Sequence, residues 1–282
     1  MKLASGILYL VATPIGNLGD MTPRAIETLK NADAILAEDT RVTRKLCNYF
    51  EIETPLVRFD ENTSQRKIPE MIALLESGET LALVSDAGTP CVSDPGNNLA
   101  AAARDAGLEV IAIPGASAAL VALSASGIIG STFYFGGFVP RKMSEQKAFF
   151  QRAGQMDCPC IFFESPHRVV ATLATLADMF PQREGAFARE LTKLHEEIVR
   201  LPLPELAAEI ARRDTIKGEF VLILGASSDA EKAHENQWDD EAIKELLRTK
   251  IEQGLSKSQA VKQAVLETGL ARNDVYACAL EL

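Results

Sequence analysis

The sequence predicts an α/β fold arranged as two α/β domains followed by a small C-terminal helical domain of helix-turn-helix character. Three observations predict it. Apolar runs of strand length alternate with helical patterns through residues 1–128, strand-like runs recur with fewer helices between them after Gly130, and a small, polar, charged stretch over 226–237 precedes a helix-rich tail. Alternation of strand and helix marks a parallel sheet, because each parallel connection needs a return segment long enough to recross the sheet. The expected boundaries are 1–128, 129–226 and 227–282, the last including the linker.

In the first domain, strands are expected over 7–13, 34–37, 81–85 and 109–113, each followed by a helix. Thr22 before Pro23 and Asp94 before Pro95 mark helix starts, since a side-chain acceptor satisfies an orphan amide and proline fits the first helical position. The apolar stretch over 108–129 is long enough to raise the question of a membrane span. Glu109 and the Pro114-Gly115 pair interrupt it, so strand, turn and buried helix fit better. In the second domain, strands are expected over 133–138, 161–164, 185–189, 196–201 and 219–224. In the tail, Leu255-Ser256 starts a helix, Gly269 stops it, and residues 270–274 open another. That tail carries more acid than base, so a packing or assembly role stands level with nucleic-acid reading.

A chain of 282 residues, 47% hydrophobic and 24% charged, has the composition of an ordinary folded enzyme, which sets aside wholesale disorder and a membrane protein. Its formal charge of -10 excludes a protein that coats nucleic acid by charge alone, so any RNA contact has to be local. The N-terminal apolar run has no small-residue cleavage site before Pro14 and reads as a first strand rather than an export signal. Five cysteines, an odd count without C-x-x-C spacing, point to reduced thiols in cytosol and to no metal site; Cys158-Pro159-Cys160 reads as strand-edge packing.

Ligands of α/β sheets bind beyond the carboxyl ends of the strands, so the turns there are where function is sought. Four stand out. Thr13-Pro14-Ile15-Gly16-Asn17-Leu18-Gly19-Asp20 follows the first strand, with the acidic pair Glu38-Asp39 about twenty residues on, where a dinucleotide fold keeps its ribose-binding carboxylate. The glycine spacing is not G-x-G-x-x-G, and a plain tight turn is an equal reading. Asp86-Ala87-Gly88-Thr89-Pro90 is followed at once by Ser93-Asp94-Pro95-Gly96, a stiff double turn unusual for a connector. Ile113-Pro114-Gly115-Ala116-Ser117 opens a helix of small residues that could admit a ligand or another helix equally well. Phe163-Glu164-Ser165-Pro166-His167-Arg168 gathers acid, hydroxyl, imidazole and guanidinium at one strand end. His195 and His234 sit among charges and read as surface residues.

These loops, in this order, resemble the tetrapyrrole-methylase superfamily, and within it the branch that methylates small-subunit ribosomal RNA. The likeness rests on residues 10–18, Ala37-Glu38-Asp39-Thr40-Arg41, residues 86–90 and 163–168, Ala188-Arg189-Glu190-Leu191-Thr192-Lys193 and Lys217-Gly218-Glu219-Phe220, and covers essentially the whole chain. The porphyrin-modifying relatives usually carry Gly-Asp-Pro where this chain has Gly88-Thr89-Pro90, which favours the ribosomal branch. The resemblance implies a cytoplasmic homodimer with S-adenosylmethionine in a cleft between the two α/β domains. It further implies methyl transfer to the ribose 2'-hydroxyl of a cytidine in 16S ribosomal RNA, in the decoding region of the assembled subunit. Carried over, the cofactor positions are Pro14, Asp86, Ala87, Gly88, Pro90, Pro114, Gly115, Ser117, Phe163, Ala188 and Gly218. A ribose hydroxyl is a poor nucleophile while neutral, so a base or a nearby cation should assist; Glu38, Asp39, Glu164, Glu190 and Lys193 are the candidates, and the sequence does not choose among them. Arg41, Arg141, Lys142, His167, Arg168, Arg189 and Lys217 are the expected RNA contacts, a local basic mouth on an acidic body. A tetrapyrrole C-methyltransferase and a non-catalytic ribosome-assembly factor are the competing readings.

Overall fold

A computed structural model describes residues 6–92, 96–227, 240–268 and 272–282. The chain forms two compact units, Met1–Gly225 and Ala226–Leu282. The expected cap at Asp94-Pro95, residues 228–237 of the linker, His234, and the Gly269 stop with the opening at Leu270-Ala271 lie outside the described residues.

The first sheet is wholly parallel, in the order β3-β2-β4-β1-β5, with β1 Ile7–Val11, β2 Ala34–Ala37, β3 Leu56–Arg58, β4 Leu81–Val84 and β5 Glu109–Ile113. Every residue of β4, at its centre, is buried, as expected for a strand covered on both faces. Helices α1 Pro23–Asn31, α2 Thr40–Tyr49, α3 Glu61–Glu76, α4 Asn97–Asp105 and α5 Ala118–Ser126 make the connections. Thr22 caps α1 as its sequence position predicts, accepting a hydrogen bond from the Ala25 amide with Pro23 at the first position. Helix α4 starts at Asn97 behind Gly96, without a side-chain cap.

The second sheet is mixed, ordered β6-β7-β10-β8-β9: β6 Tyr134–Phe138 runs parallel to β7 Cys160–Glu164, and β8 Glu184–Arg189, β9 Glu197–Pro202 and β10 Phe220–Leu224 pair antiparallel. Period-two alternation divides its strands between two cores. Phe162, Phe187, Phe220 and Leu222 face α6 Met143–Gly154, α7 Val169–Met179 and α8 Leu203–Ala211. Ile161, Ala186, Ala188, Val221 and Ile223 face the other way, against Ala119 and Ala122 of α5. Small residues on that face let α5, which leaves the first sheet, lie against the second, so one helix belongs to both layers. Truncating Phe162, fully buried in the first of these cores, to Ala would cost about 3–5 kcal/mol.

In the second unit, α9 Asp240–Glu252, α10 Lys257–Thr268 and α11 Arg272–Leu280 enclose Ile243, Leu247, Val261, Ala264 and Val275. Ser256 and Gln259 exchange hydrogen bonds at the start of α10, as its sequence position predicts. Among the described residues no helix is long and apolar enough to cross a membrane, and no group of His, Cys, Asp and Glu side chains could hold a metal ion.

Candidate active-site cleft

Parallel strands deliver the loops after β1, β4 and β5 to one edge of the first sheet, where the loops are tied together. Thr13 and Gly88 exchange both backbone hydrogen bonds, at 2.9 and 3.1 Å. The Thr13 hydroxyl donates to the Ser85 carbonyl at 3.2 Å, and Thr89 Oγ1 donates to the Ala116 carbonyl at 3.1 Å. Gly88 adopts φ +86°, a conformation that side chains resist, so glycine here is what lets the β4 loop fold back onto the β1 loop. From the second sheet, antiparallel pairing sets Val221 opposite both Phe163 and Ala188, so the ends of β7 and β8 and the start of β10 meet on one side.

Two recesses lie where these loops and strand ends converge. The main one, about 260 Å³, is lined by Ile15, residues 86–89, Val92, Ser117, Ala118, Phe138, Phe163, Glu164, Leu191 and residues 219–221. Its walls carry three carboxylates, Asp86, Glu164 and Glu219, and no Lys, Arg or His. Ser117 makes no capping bond at the start of α5, so the first amides of that helix are presented at the recess wall. The second recess, about 280 Å³, shares Ile15, Asp86, Ala87 and Glu219 with the first and adds Thr13, Pro14, Gly16, Leu18, residues 42, 43, 45 and 46 of α2, Ser85 and Lys193.

Of the expected cofactor positions, Asp86, Ala87, Gly88, Ser117 and Phe163 line the main recess and Pro14 the second. Pro90 lines a small cavity of about 10 Å³ with Glu38. Ala188 is buried in the core behind the cleft, Pro114 and Gly115 are exposed, and Gly218 precedes the lining residue Glu219.

The acid and base candidates sit in distinct settings. Asp39 receives Arg41 through two guanidinium nitrogens, at 3.0 and 2.6 Å, and also caps α2; the Arg41 hydrogen bonds hold its carboxyl well below the usual range. Its amide donates to Asp86 Oδ1 at 3.0 Å. Glu164 is fully buried and accepts from the Ser165 amide and Thr172 Oγ1, both at 2.7 Å, with Arg168 at 2.6 Å. Lys193 reaches Glu190 at 2.9 Å and Glu219 at 3.0 Å. Burial pulls the Lys193 pKa down, but hydrogen bonds to both carboxylates outweigh it and the group sits above its ordinary value. The Lys193 hydrogen bond likewise lowers Glu190. Glu190 and Thr192 both adopt positive φ, 50° and 64°, so this turn is held in a conformation that non-glycine residues rarely take.

Among the expected RNA contacts, Arg41, Arg141, Lys142, His167 and Lys217 are exposed, Arg41 held by Asp39 and Lys142 bridging Glu145 at 3.0 Å. Arg168 and Arg189 are turned inward. Arg168 pairs with Glu164 and donates to the Val139 and Pro140 carbonyls, and Arg189 donates to the Lys217 carbonyl at 2.7 Å and pairs with Glu197. Ile15, Thr89, Leu191, Glu219 and Phe220, which stand in the expected loops without a role assigned to them, also line the recess, as do Val92, Ala118, Phe138 and Val221. Most flank a residue assigned a role from sequence, and alternation along β10 would have found Val221 once its partners were known.

A family model described as Tetrapyrrole (Corrin/Porphyrin) Methylases matches residues 7–207. A Bacillus subtilis protein named ribosomal RNA small subunit methyltransferase I is 44% identical over 276 residues, spanning 98% of this chain and 94% of that one. A Synechocystis protein of the same name is 44% identical over 278 residues, 98% of each chain. Among solved structures, the uroporphyrin-III C-methyltransferase of Thermus thermophilus, complexed with S-adenosyl homocysteine, is similar in fold with a TM-score of 0.54 at 17% identity, covering 81% of this chain and 99% of that one.

Proposed function

Because this chain belongs to the tetrapyrrole (corrin/porphyrin) methylase family, and relatives spanning nearly its whole length are named for methylating small-subunit ribosomal RNA, we propose that it transfers a methyl group from S-adenosylmethionine to a ribose 2'-hydroxyl of that RNA. The enzyme is an S-adenosylmethionine-dependent ribosomal RNA methyltransferase. The acceptor is a cytidine of the 16S decoding region in the assembled subunit, and the protein acts as a cytoplasmic homodimer whose lobes, 1–128 and 129–226, flank the cleft.

The observation that carries the reading is the chemistry of the main recess. Arg168 and Lys193 pair with Glu164 and Glu219 from outside the lining, which leaves Asp86 to suit the sulfonium and ammonium charges of a ligand, while the start of α5 suits its carboxylate and Ile15, Phe138, Phe163, Leu191 and Val221 suit a flat heterocycle. The residues present therefore fit S-adenosylmethionine. When bound, that group would supply an electrophilic methyl for the ribose oxygen, with Asp86 and the start of α5 holding it in the main recess.

The chain's own part is positioning, exclusion of water and management of charge. Lys193 stays protonated and serves as a cation that steadies negative charge on the attacking oxygen rather than as a base. Asp39, held far below its ordinary range by Arg41, is a weak proton acceptor, and Glu164 is committed to Arg168, Thr172 and the Ser165 amide. Arg168, by fixing the Val139 and Pro140 carbonyls, sets the turn that presents Arg141 and Lys142 to RNA phosphates.

Labelled S-adenosylmethionine is offered with isolated small subunits, naked 16S RNA or a porphyrin precursor in separate reactions, with calorimetry of the cofactor alone. Label in subunits only, mapped to one cytidine ribose, supports the reading. Label in the porphyrin precursor, or no heat of cofactor binding, overturns it.

A further inference from the structure

Glu164 stands at the end of β7, one residue after Phe163, and both line the main recess. Behind that wall a line of polar side chains runs inward through an apolar core. Glu164 Oε2 accepts from Thr172 Oγ1 of α7 at 2.7 Å, and Thr172 Oγ1 accepts from Gln146 Nε2 of α6 at 3.3 Å. Thr172 and Gln146 are both buried, at 1% and 8% exposure. Phe149, Phe150, Leu173 and Leu176 of the same two helices belong to the core around them. A carboxylate only accepts, so the Thr172 hydroxyl gives its one proton to Glu164 and must itself accept from Gln146, which fixes the direction of the chain. Polar groups are costly to bury, and apolar residues of the same shape fill a core as well, so stability alone does not call for this chain.

The other Glu164 oxygen is held by the Ser165 amide and Arg168. Arg168 carries the constraint onward by donating to the Val139 and Pro140 carbonyls, and the Val139 amide donates to the Phe163 carbonyl at 3.1 Å. These bonds bracket Phe138 and Phe163, whose rings meet edge to face at 5.4 Å. The register of β6 shifts between Phe135 and Gly137, and Gly137 takes φ +71°. Regular alternation would send Phe135 and Phe138 to opposite faces of the sheet; the bulge brings both rings to Phe163 and sets Phe138 on the recess. The aromatic wall is thus placed by hydrogen bonds on one side and a bulge on the other.

Resting on the reading that the main recess holds S-adenosylmethionine, we propose that Thr172 and Gln146 are positioning residues for that cofactor. Their chain fixes Glu164 and, through Arg168 and the Val139 and Pro140 carbonyls, the Phe138–Phe163 pair against which the cofactor lies. Neither residue lines the recess; both act through Glu164.

The test uses the full-length protein. Thr172→Val keeps the side-chain shape and removes the donor, Thr172→Ser keeps the donor, and Gln146→Leu removes the far link. Leu206→Ala, in the same apolar core on α8, is a control that destabilises without touching the chain. Calorimetry with S-adenosylmethionine gives cofactor affinity, methylation of small subunits gives cofactor KM and kcat, and the melting temperature of each variant is recorded. Thr172→Val is expected to weaken cofactor binding about tenfold, within what one hydrogen bond to a charged group contributes. Its cofactor KM rises in proportion, while kcat at saturating cofactor stays within about twofold. Gln146→Leu, one link further out, weakens binding about threefold, and Thr172→Ser stays within about twofold of wild type. Leu206→Ala lowers the melting temperature and leaves cofactor affinity as it was. Wild-type affinity in Thr172→Val overturns the proposal, as does an equal loss in Leu206→Ala or a Thr172→Ser no better than Thr172→Val. Should Thr172→Val fail to fold, wild-type affinity in Gln146→Leu overturns it instead. Those results leave the methyltransferase reading standing; a wild-type protein that takes up no cofactor ends both.

Discussion

Glu164 and Arg168 form an ion pair of 2.6 Å in which the carboxylate is wholly buried and the guanidinium keeps 28% of its exposure. A buried carboxylate in that position needs every donor it has, and two of the others, the Ser165 amide and Thr172 Oγ1, cannot supply a positive charge. Arg168→Ala is therefore expected to destabilise the protein by about 3 kcal/mol, with Glu164→Gln in the same chain recovering part of the loss. Urea unfolding of the single and double variants measures both. A single variant as stable as wild type would show that the guanidinium does not hold Glu164.

Gly218 adopts φ +96°, and a Cβ added there would stand 2.5 Å from Glu190 Cγ. Gly218→Ala therefore meets backbone strain of about 1–3 kcal/mol as well as a crowded neighbour. Displacing Glu190 loosens Lys193, so activity on subunits should fall further than cofactor affinity does. Calorimetry beside a methylation assay separates the two effects.

Arg213 grips Glu197 through two nitrogens, at 2.7 and 2.6 Å, and those hydrogen bonds set the Glu197 carboxyl below its ordinary 4.5 despite partial burial. A depressed carboxyl stabilises the fold fully above its unfolded value and loses that contribution as pH falls through its folded value. Glu197→Gln should thus be less stable than wild type at neutral pH, by about 1 kcal/mol after allowance for exposure. The difference should shrink as pH drops below 4.5, which thermal melts across that range would record.

Burial pushes the Cys160 thiol up to about 12 and raises Cys47 and Cys278 as well. A thiol reacts as its thiolate, so these three should resist iodoacetamide at mildly alkaline pH. Cys91 and Cys158, partly exposed, should label in the native state. Intact mass before and after denaturation counts the modified residues, and rapid native labelling of Cys160 would contradict its burial.

Much of the architecture was legible because its signals are local. Buried parallel strands appear as unbroken apolar runs such as residues 81–84, and Thr22-Pro23 announces a helix whatever surrounds it. Strand β3 escaped because Leu56–Arg58 is three residues at a sheet edge, half-buried and following Pro55, too short for any periodicity. The mixed order of the second sheet is likewise invisible, since alternation along β10 says nothing of which strands flank it. The loops of the cleft were visible from glycine, proline and acid at strand ends, but their partners were not. Arg168 looked like a free phosphate contact because a sequence cannot show that Glu164 turns back 2.6 Å from it. Glu219 and Leu191 stand in motifs of the resemblance, but only the fold brings them beside Ile15 and Asp86.

The Thr13 and Gly88 backbones, bonded to each other in both directions, make the β1 and β4 loops one mechanical piece, and that piece walls both recesses. A ligand that moved this piece on filling one recess would change the wall of the other. Coupling of that kind is reciprocal by thermodynamic necessity: if an occupied first recess strengthens attachment in the second by some factor, the reverse order of filling gains the same factor.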